Sequence, residues 1–400
     1  MLRLIEFVRF FKIFILRIFK KIKNTKFDVI EFGYNNRHVF FGYYDLNPFS
    51  KNNSKLLFHS VPLNIKEESV NAQIGYVDLI TGVSVIVGET SAWCWQQGSR
   101  LQWFTFNEIE NGILYNTVIG NRYVSEVFSI DKQTIVKRFE YPIYDISTRS
   151  NFALSLNFSR LQNLRPGYGY NNFPDIHADT TAPENDGVYI SNLLDGNLKL
   201  IISLTHLLSI VPHDSMKEAM HYVNHLSFNP SGSRFLFFHL WTNGRKRFSR
   251  LFTSDITGQD LFLLENEYNV SHYSWMSDNE ILITALIPGT GVRYIKYMDQ
   301  STSKEIISSV YLTQDGHPSI NKFNSDLILS DTYPNKYSER CLFTVNLKTN
   351  DYISIGSFYS NYRLKGEVRC DLHPRWSEDG KMICFDSSHR KRRTINIIKL

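Results

Sequence analysis

From about residue 38 onward, apolar residues come in short runs separated by polar turns, and no stretch carries the 3.6-residue apolar stripe of a four-turn amphipathic helix. The recurring unit is a polar head residue, a turn holding Asp, Asn, Gly or Ser, and then a buried strand. His225-Leu-Ser-Phe-Asn-Pro-Ser-Gly-Ser-Arg-Phe-Leu-Phe-Phe is one copy, and His373-Pro-Arg-Trp-Ser-Glu-Asp-Gly-Lys-Met-Ile-Cys-Phe is another. His272 leads through Ser277-Asp-Asn to Ile281-Leu-Ile, and His317 through Asn324-Ser-Asp to Leu327-Ile-Leu. The four heads stand 47, 45 and 56 residues apart, which is the length of a four-stranded propeller blade.

The same frame extends backwards with other heads. Asp45 precedes Leu56-Leu-Phe, Gln102 precedes Ile113-Leu-Tyr, and a weaker copy near Tyr144-Asp145 reaches Phe152-Ala-Leu. Gly75-Tyr-Val-Asp-Leu-Ile-Thr-Gly and Leu342-Phe-Thr-Val-Asn-Leu-Lys-Thr-Asn fit third strands followed by a turn. Together these units predict an all-β chain whose residues 27–400 form a seven-bladed β-propeller with an axial channel. The interval between residues 145 and 225 is long. It holds Arg165-Pro-Gly-Tyr-Gly-Tyr and the polar stretch from Pro174 to Asp186, so an insertion around 160–186 is expected over one mouth of the channel. Its aromatics suit stacking on sugar rings. A short helix is expected within Leu208 to Ala219.

The first 26 residues follow a different rule. At 100° per residue, Leu4, Phe7, Val8, Phe11, Phe14, Ile15, Ile18 and Ile22 share one face. Arg3, Glu6, Arg9, Lys12, Arg17, Lys20, Lys21 and Lys23 take the other, which predicts an N-terminal amphipathic α-helix. Charges recur too often for a span, and the uncharged core of a signal peptide is missing. The expectation is a helix lying in the membrane interface, with Phe7, Phe11, Phe14 and Ile18 inserted and Lys20 and Lys21 toward anionic lipid. Docking on the body and a targeting role are the alternatives.

Charge sharpens that division. The whole chain carries +5, yet residues 1–26 hold eight basic residues against one acidic, so the body is left at −2. A near-neutral body argues against nucleic acid as a partner. The four cysteines Cys94, Cys341, Cys370 and Cys384 form no paired spacing, which suits a reduced cytoplasmic protein at the inner face of the cell membrane.

Chemistry enters through the heads. If the inner strands surround one axis, Asp45, Gln102, His225, His272, His317 and His373 meet at the mouth. Neutral imidazole is the commonest metal ligand, and three with open positions suit a divalent first-row ion. Arg165, Arg369 and Arg375 are candidates for bidentate carboxylate recognition. With Tyr168, Asp45 and Gln102 they make up the expected substrate-contacting set.

The phrases Gly316-His-Pro-Ser, Asp371-Leu-His-Pro-Arg-Trp-Ser-Glu-Asp-Gly-Lys and Asn224-His-Leu-Ser-Phe-Asn-Pro-Ser-Gly resemble the oligogalacturonate lyase family and related TolB-like propellers. The resemblance covers roughly residues 220–390, and more loosely the whole body. It implies a manganese ion held on the axis by histidines and a glutamine, with a further histidine as base. Carried onto this chain, His272, His317 and His373 become ligands and His225 the catalytic base. The last segment departs from the family pattern, because only His373 stands there; Asp371 or Gln102 is left for the remaining ligand position.

The resemblance therefore implies a metal-dependent, lyase-like enzyme performing β-elimination on a uronic-acid-containing oligosaccharide. The membrane-associating helix, rather than the resemblance, points to a lipid-linked glycan and a place in surface polysaccharide metabolism. A non-catalytic glycan- or protein-binding propeller in a polysaccharide assembly complex, or an accessory to a glycosyltransferase, is the other expectation.

Overall fold

The computed structural model describes residues 25–34, 36–64, 70–147, 149–244 and 246–400. These form seven four-stranded antiparallel sheets arranged as the blades of a propeller. Blades 1 to 6 occupy residues 37–90, 102–139, 145–203, 220–265, 269–306 and 319–359 in turn. Blade 7 takes three strands from residues 375–399 and its outermost strand from the other end of the chain. There Val29–Phe32 pairs antiparallel with Thr394–Lys399, Val29 opposite Ile398 and Phe32 opposite Ile395. The ring is thus closed by hydrogen bonds between its two ends. The amphipathic stretch, including Phe7, Phe11, Phe14, Ile18, Lys20 and Lys21, lies outside the described residues.

Middle strands are covered by neighbouring blades on both faces, which is why they read as continuous apolar runs rather than alternating ones. Leu56, Leu57 and Phe58 are fully buried together, as are Ile281, Leu282 and Ile283. Each such side chain contributes roughly 1.5–3 kcal/mol by leaving water. A tryptophan on three of the inner strands clamps adjacent blades. The indole Nε1 of Trp103 donates to the Pro48 carbonyl at 2.9 Å, that of Trp275 to Ser227 at 3.2 Å, and that of Trp376 to Ser319 at 3.1 Å.

Each inner strand runs from one mouth of the channel to the other. Residues preceding or opening it therefore line what we call the histidine mouth, and the tryptophans lie toward the opposite one. The insertion, residues 156–186, joins the second and third strands of blade 3, so strand direction alone puts it over the histidine mouth. A short helix, Phe158–Leu164, opens it, with the Asn157 side chain accepting from the Arg160 N–H at 3.0 Å. Buried Arg160 then gathers the loop, donating to the carbonyls of His177, Thr180, Thr181 and His221 and pairing with Asp175 at 3.2 Å. Gly169 lets the loop close on that helix, since a Cβ there would stand 2.1 Å from the Phe158 carbonyl oxygen. The helix expected within Leu208 to Ala219 forms earlier, at Leu204–Ser209, capped by the Ser203 hydroxyl. A 3-10 turn at Asp214–Met216 follows it.

Candidate functional site

The four histidine heads sit where the inner strands depart from regular pairing. Blade 4 loses register between Asn224 and Ser227, and His225 falls in that bulge with φ +58°. Blade 5 shifts between Val270 and His272. His317 and His373 stand two residues ahead of their strands, His373 with φ +45°. Left-handed backbone at a non-glycine residue costs energy, and at these two positions it accompanies an imidazole turned toward the axis.

The rings converge. His272 and His317 have centroids 4.1 Å apart, and His317 and His373 4.4 Å. Tyr43 stands among all four, 5.0 Å from His225, 4.7 Å from His373, 6.0 Å from His317 and 6.4 Å from His272. Its ring closes the floor of the site.

The Nδ1 atoms of the three expected ligands are all taken. His272 Nδ1 meets Asp315 at 2.9 Å, His317 Nδ1 meets Asp331 at 2.7 Å, and His373 Nδ1 meets the Gly42 carbonyl at 2.8 Å. An acceptor on Nδ1 fixes the proton there and leaves Nε2 with its lone pair, the arrangement typical of metal-ligating histidines. The Nε2 atoms of His317 and His373 are buried with no hydrogen-bond partner. Together with Asp371 they offer ligand atoms within 4.8 Å of one another, and His272 adjoins the group through His317. This His/Asp set is what could hold a metal ion.

Burial dominates the electrostatics. It lowers His225 well below the usual imidazole range, with His272 and Arg100 adding to the effect, so the ring is neutral at ordinary pH. Burial likewise lowers His373, reinforced by His317. For Asp371, burial alone would raise the carboxyl, but ion pairs to Arg340 at 2.5 Å and Arg369 at 2.9 Å hold it well below the usual carboxylate range. Asp371 is therefore an anion in the fold.

Above this floor, toward blades 4 and 5, opens a pocket of about 280 Å³. His225, His272, Tyr43, Arg165, Tyr168, Arg247 and Tyr333 are among its lining residues. The Arg165 guanidinium lies 4.7 Å above the Tyr168 ring. Arg369 Nη2 donates to the Tyr168 hydroxyl at 2.8 Å while its Nε holds Asp371. Among the described residues, neither Arg165 nor Arg247 has a carboxylate partner, and Arg247 is lowered by burial and by the charge of Arg165. Two unpaired guanidinium groups facing one pocket call for an anionic ligand.

The structure brings His225, His272, His317, His373, Arg165, Tyr168 and Arg369 together. It places Asp45, Gln102 and Arg375 elsewhere. The inner strand of blade 1 is Arg37–Phe40, so Asp45 emerges at the opposite mouth, where Arg100 pairs with it at 3.1 Å. Gln102 is buried and donates to the Arg100 carbonyl at 3.1 Å, away from the histidines. Arg375 opens the strand that His373 precedes by two residues. It donates to the Gly42 and Tyr43 carbonyls and lines the funnel of the other mouth. Of the two residues left for the remaining ligand position, Asp371 adjoins His373 and Gln102 does not.

Sequence reasoning missed Tyr43, Arg247, Tyr333, Asp315 and Asp331. A weak signal for Tyr43 existed in Gly42, whose φ of +129° turns the chain across the axis where a Cβ would meet the Gln97 backbone at 3.1 Å. The others carry no local signature.

These features define a seven-bladed propeller with an axial histidine cluster. Among solved structures, the chain is similar to an oligogalacturonate lyase in complex with manganese, with a TM-score of 0.70 at 12% identity over 95% of both chains. An oligogalacturonate lyase from Vibrio parahaemolyticus gives 0.66 at 13% identity, again over 95% of each. A prolyl endopeptidase gives 0.51 at 10% identity, covering 88% of this chain and 46% of that one. These likenesses establish the fold. No protein-family model matches the sequence, and no curated protein does.

Proposed function

We propose that this chain is a carbohydrate-active propeller that cleaves a uronic-acid-containing glycan by metal-dependent β-elimination at its histidine mouth. The observation that carries the reading is the pair of buried, unpartnered Nε2 atoms on His317 and His373 beside ionised Asp371. That donor set fits a divalent cation, with manganese or another first-row ion the natural occupant of nitrogen and oxygen ligands. His317, His373 and Asp371 would hold it, with His272 alongside. A divalent cation there supplies Lewis-acid stabilisation for a substrate carboxylate as charge develops on it.

The remaining groups fall into roles. Arg165 and Arg247 orient carboxylates at the rim. Neutral His225, which lines the pocket and whose Nε2 accepts only a long 3.3 Å bond from the Asn224 amide, can take the proton from C5, the carbon next to the carboxylate, on that nitrogen. Tyr43 closes the site from below against water in the channel. Stoichiometric metal in the purified protein, lost in His317→Ala/His373→Ala, together with unsaturated-uronide absorbance on a uronide substrate, is the expected result. A metal-free protein that yields no unsaturated product from any uronide ends this reading.

A binding-only propeller is the second reading, and it is favoured by the Tyr43 ring filling axial space among the four imidazoles. Calorimetry showing uronide binding without product would select it. We further propose that residues 1–24 anchor the protein to the inner face of the cell membrane, beside surface-polysaccharide metabolism. The amphipathic sequence supports this. The full chain should sediment with anionic vesicles and a variant lacking residues 1–24 should not; equal sedimentation refutes the anchor.

A further inference from the structure

Elimination needs an acid as well as a base. When the C5 proton leaves, the C4–O4 bond must break, and the departing oxygen is a poor leaving group unless it is protonated as it goes. Tyr168 is placed for that task. Its ring stands edge-to-face to His225, with centroids 6.1 Å apart and planes at 84°, and both residues line the same pocket. The Tyr168 oxygen already accepts from Arg369 Nη2 at 2.8 Å, so its own proton is not used in that bond. Among the described residues, that proton has no acceptor. Arg369 is itself pinned by Asp371, and the Arg165 guanidinium covers the ring face.

Resting on the lyase reading above, we propose that Tyr168 is the general acid that protonates the leaving O4 while His225 takes the C5 proton. The electron pair of the C5–H bond becomes the C4=C5 double bond. The C4–O4 pair goes to O4, which takes the Tyr168 proton. The phenolate left behind receives the Arg369 hydrogen bond. The proton on His225 returns to Tyr168 through solvent, and the products are an unsaturated uronide and a chain with a free hydroxyl. The insertion carrying Tyr168 is thus part of the reacting centre and not only a lid.

Exchange at C5 separates this role from simple binding. In D2O with trigalacturonate as the probe, Tyr168→Phe keeps the ring and its packing and removes the hydroxyl, both the proton donor and the acceptor of the Arg369 bond. It is expected to lose about 10²-fold or more in kcat for elimination. Substrate recovered from that variant should still gain deuterium at C5, because the base remains, whereas His225→Ala should lose both exchange and elimination. Tyr168→Phe eliminating at the parent rate overturns the assignment. So does an equal loss of exchange and elimination, which would make Tyr168 a binding residue. If the unaltered protein neither exchanges nor eliminates, the lyase reading fails and this inference fails with it.

Discussion

A single carboxylate ties two of the heads together. Asp331 Oδ1 accepts from the His317 backbone N–H at 2.9 Å and meets its Nδ1 at 2.7 Å, and Oδ2 accepts from the His373 N–H at 3.3 Å. One side chain thereby sets a tautomer and spaces two imidazoles. Asp331→Asn removes the charge and one acceptor while leaving the shape. Partners of this kind are worth 10–100-fold in metal affinity, so a loss of about that size is expected in a chelator-competition titration. Unchanged affinity would show that Asp331 only packs.

At this scale the histidines were legible because each stands at a fixed place in a repeat, and periodicity survives without knowledge of the fold. Asp315, Asp331 and Arg247 were not, since each meets the site from a strand or turn whose local sequence resembles any other. Asp45 misled for the opposite reason: it occupies a head-like place in the sequence, but its blade starts eight residues earlier, at Arg37.

Among elements, the closing strand has the largest consequence. Val29–Phe32 covers the edge that Thr394–Lys399 would otherwise expose, and Phe27 and Val29 pack onto the core between blades 6 and 7. Removing residues 1–33 should cost about 3 kcal/mol or more in urea unfolding, from lost apolar burial alone. It should also raise light scattering, because an open edge strand pairs with other molecules. A truncated protein as stable and monodisperse as the parent would contradict this. The blades themselves were legible as apolar runs between turns. The closure was not, because four residues cannot announce a partner at the far end of the chain. The insertion was visible by its length, yet its place over the histidine mouth depends on which pair of strands it joins.

For the whole molecule, acid is the expected weakness. His59 is fully buried, with Nδ1 at 2.8 Å from the Phe41 carbonyl and Nε2 at 2.9 Å from the Ser99 hydroxyl, and burial pushes it down to about 4. Burial also lowers His38 and His221 to about 4. In the unfolded chain these groups take protons near 6.5, whereas the folded ones resist until about 4. Their stabilisation is therefore complete above about pH 6.5 and is withdrawn as pH falls toward 4, by up to about 3 kcal/mol for His59. Urea midpoints measured across that window should fall steadily. A flat profile would mean that these rings become charged without unfolding the protein. Asp315, held low by its contact with His272 and by hydrogen bonds from Thr284 and Ser271, and Asp371, held low by Arg340 and Arg369, in both cases against burial, add a further loss at more acid pH.

The amino-acid order alone determined the blade count, the approximate blade spacing and the identity of the four converging imidazoles, because a repeat that must bury its strands against copies of itself writes its period into hydrophobicity. Tertiary structure decided what surrounds those imidazoles. Tyr43 on the axis, the carboxylates behind Nδ1, the unpaired Arg165 and Arg247, and the strand that closes the ring all come from segments far apart along the chain. Their meeting follows from how the blades pack and from the direction in which each strand crosses the channel, and no local pattern encodes that geometry.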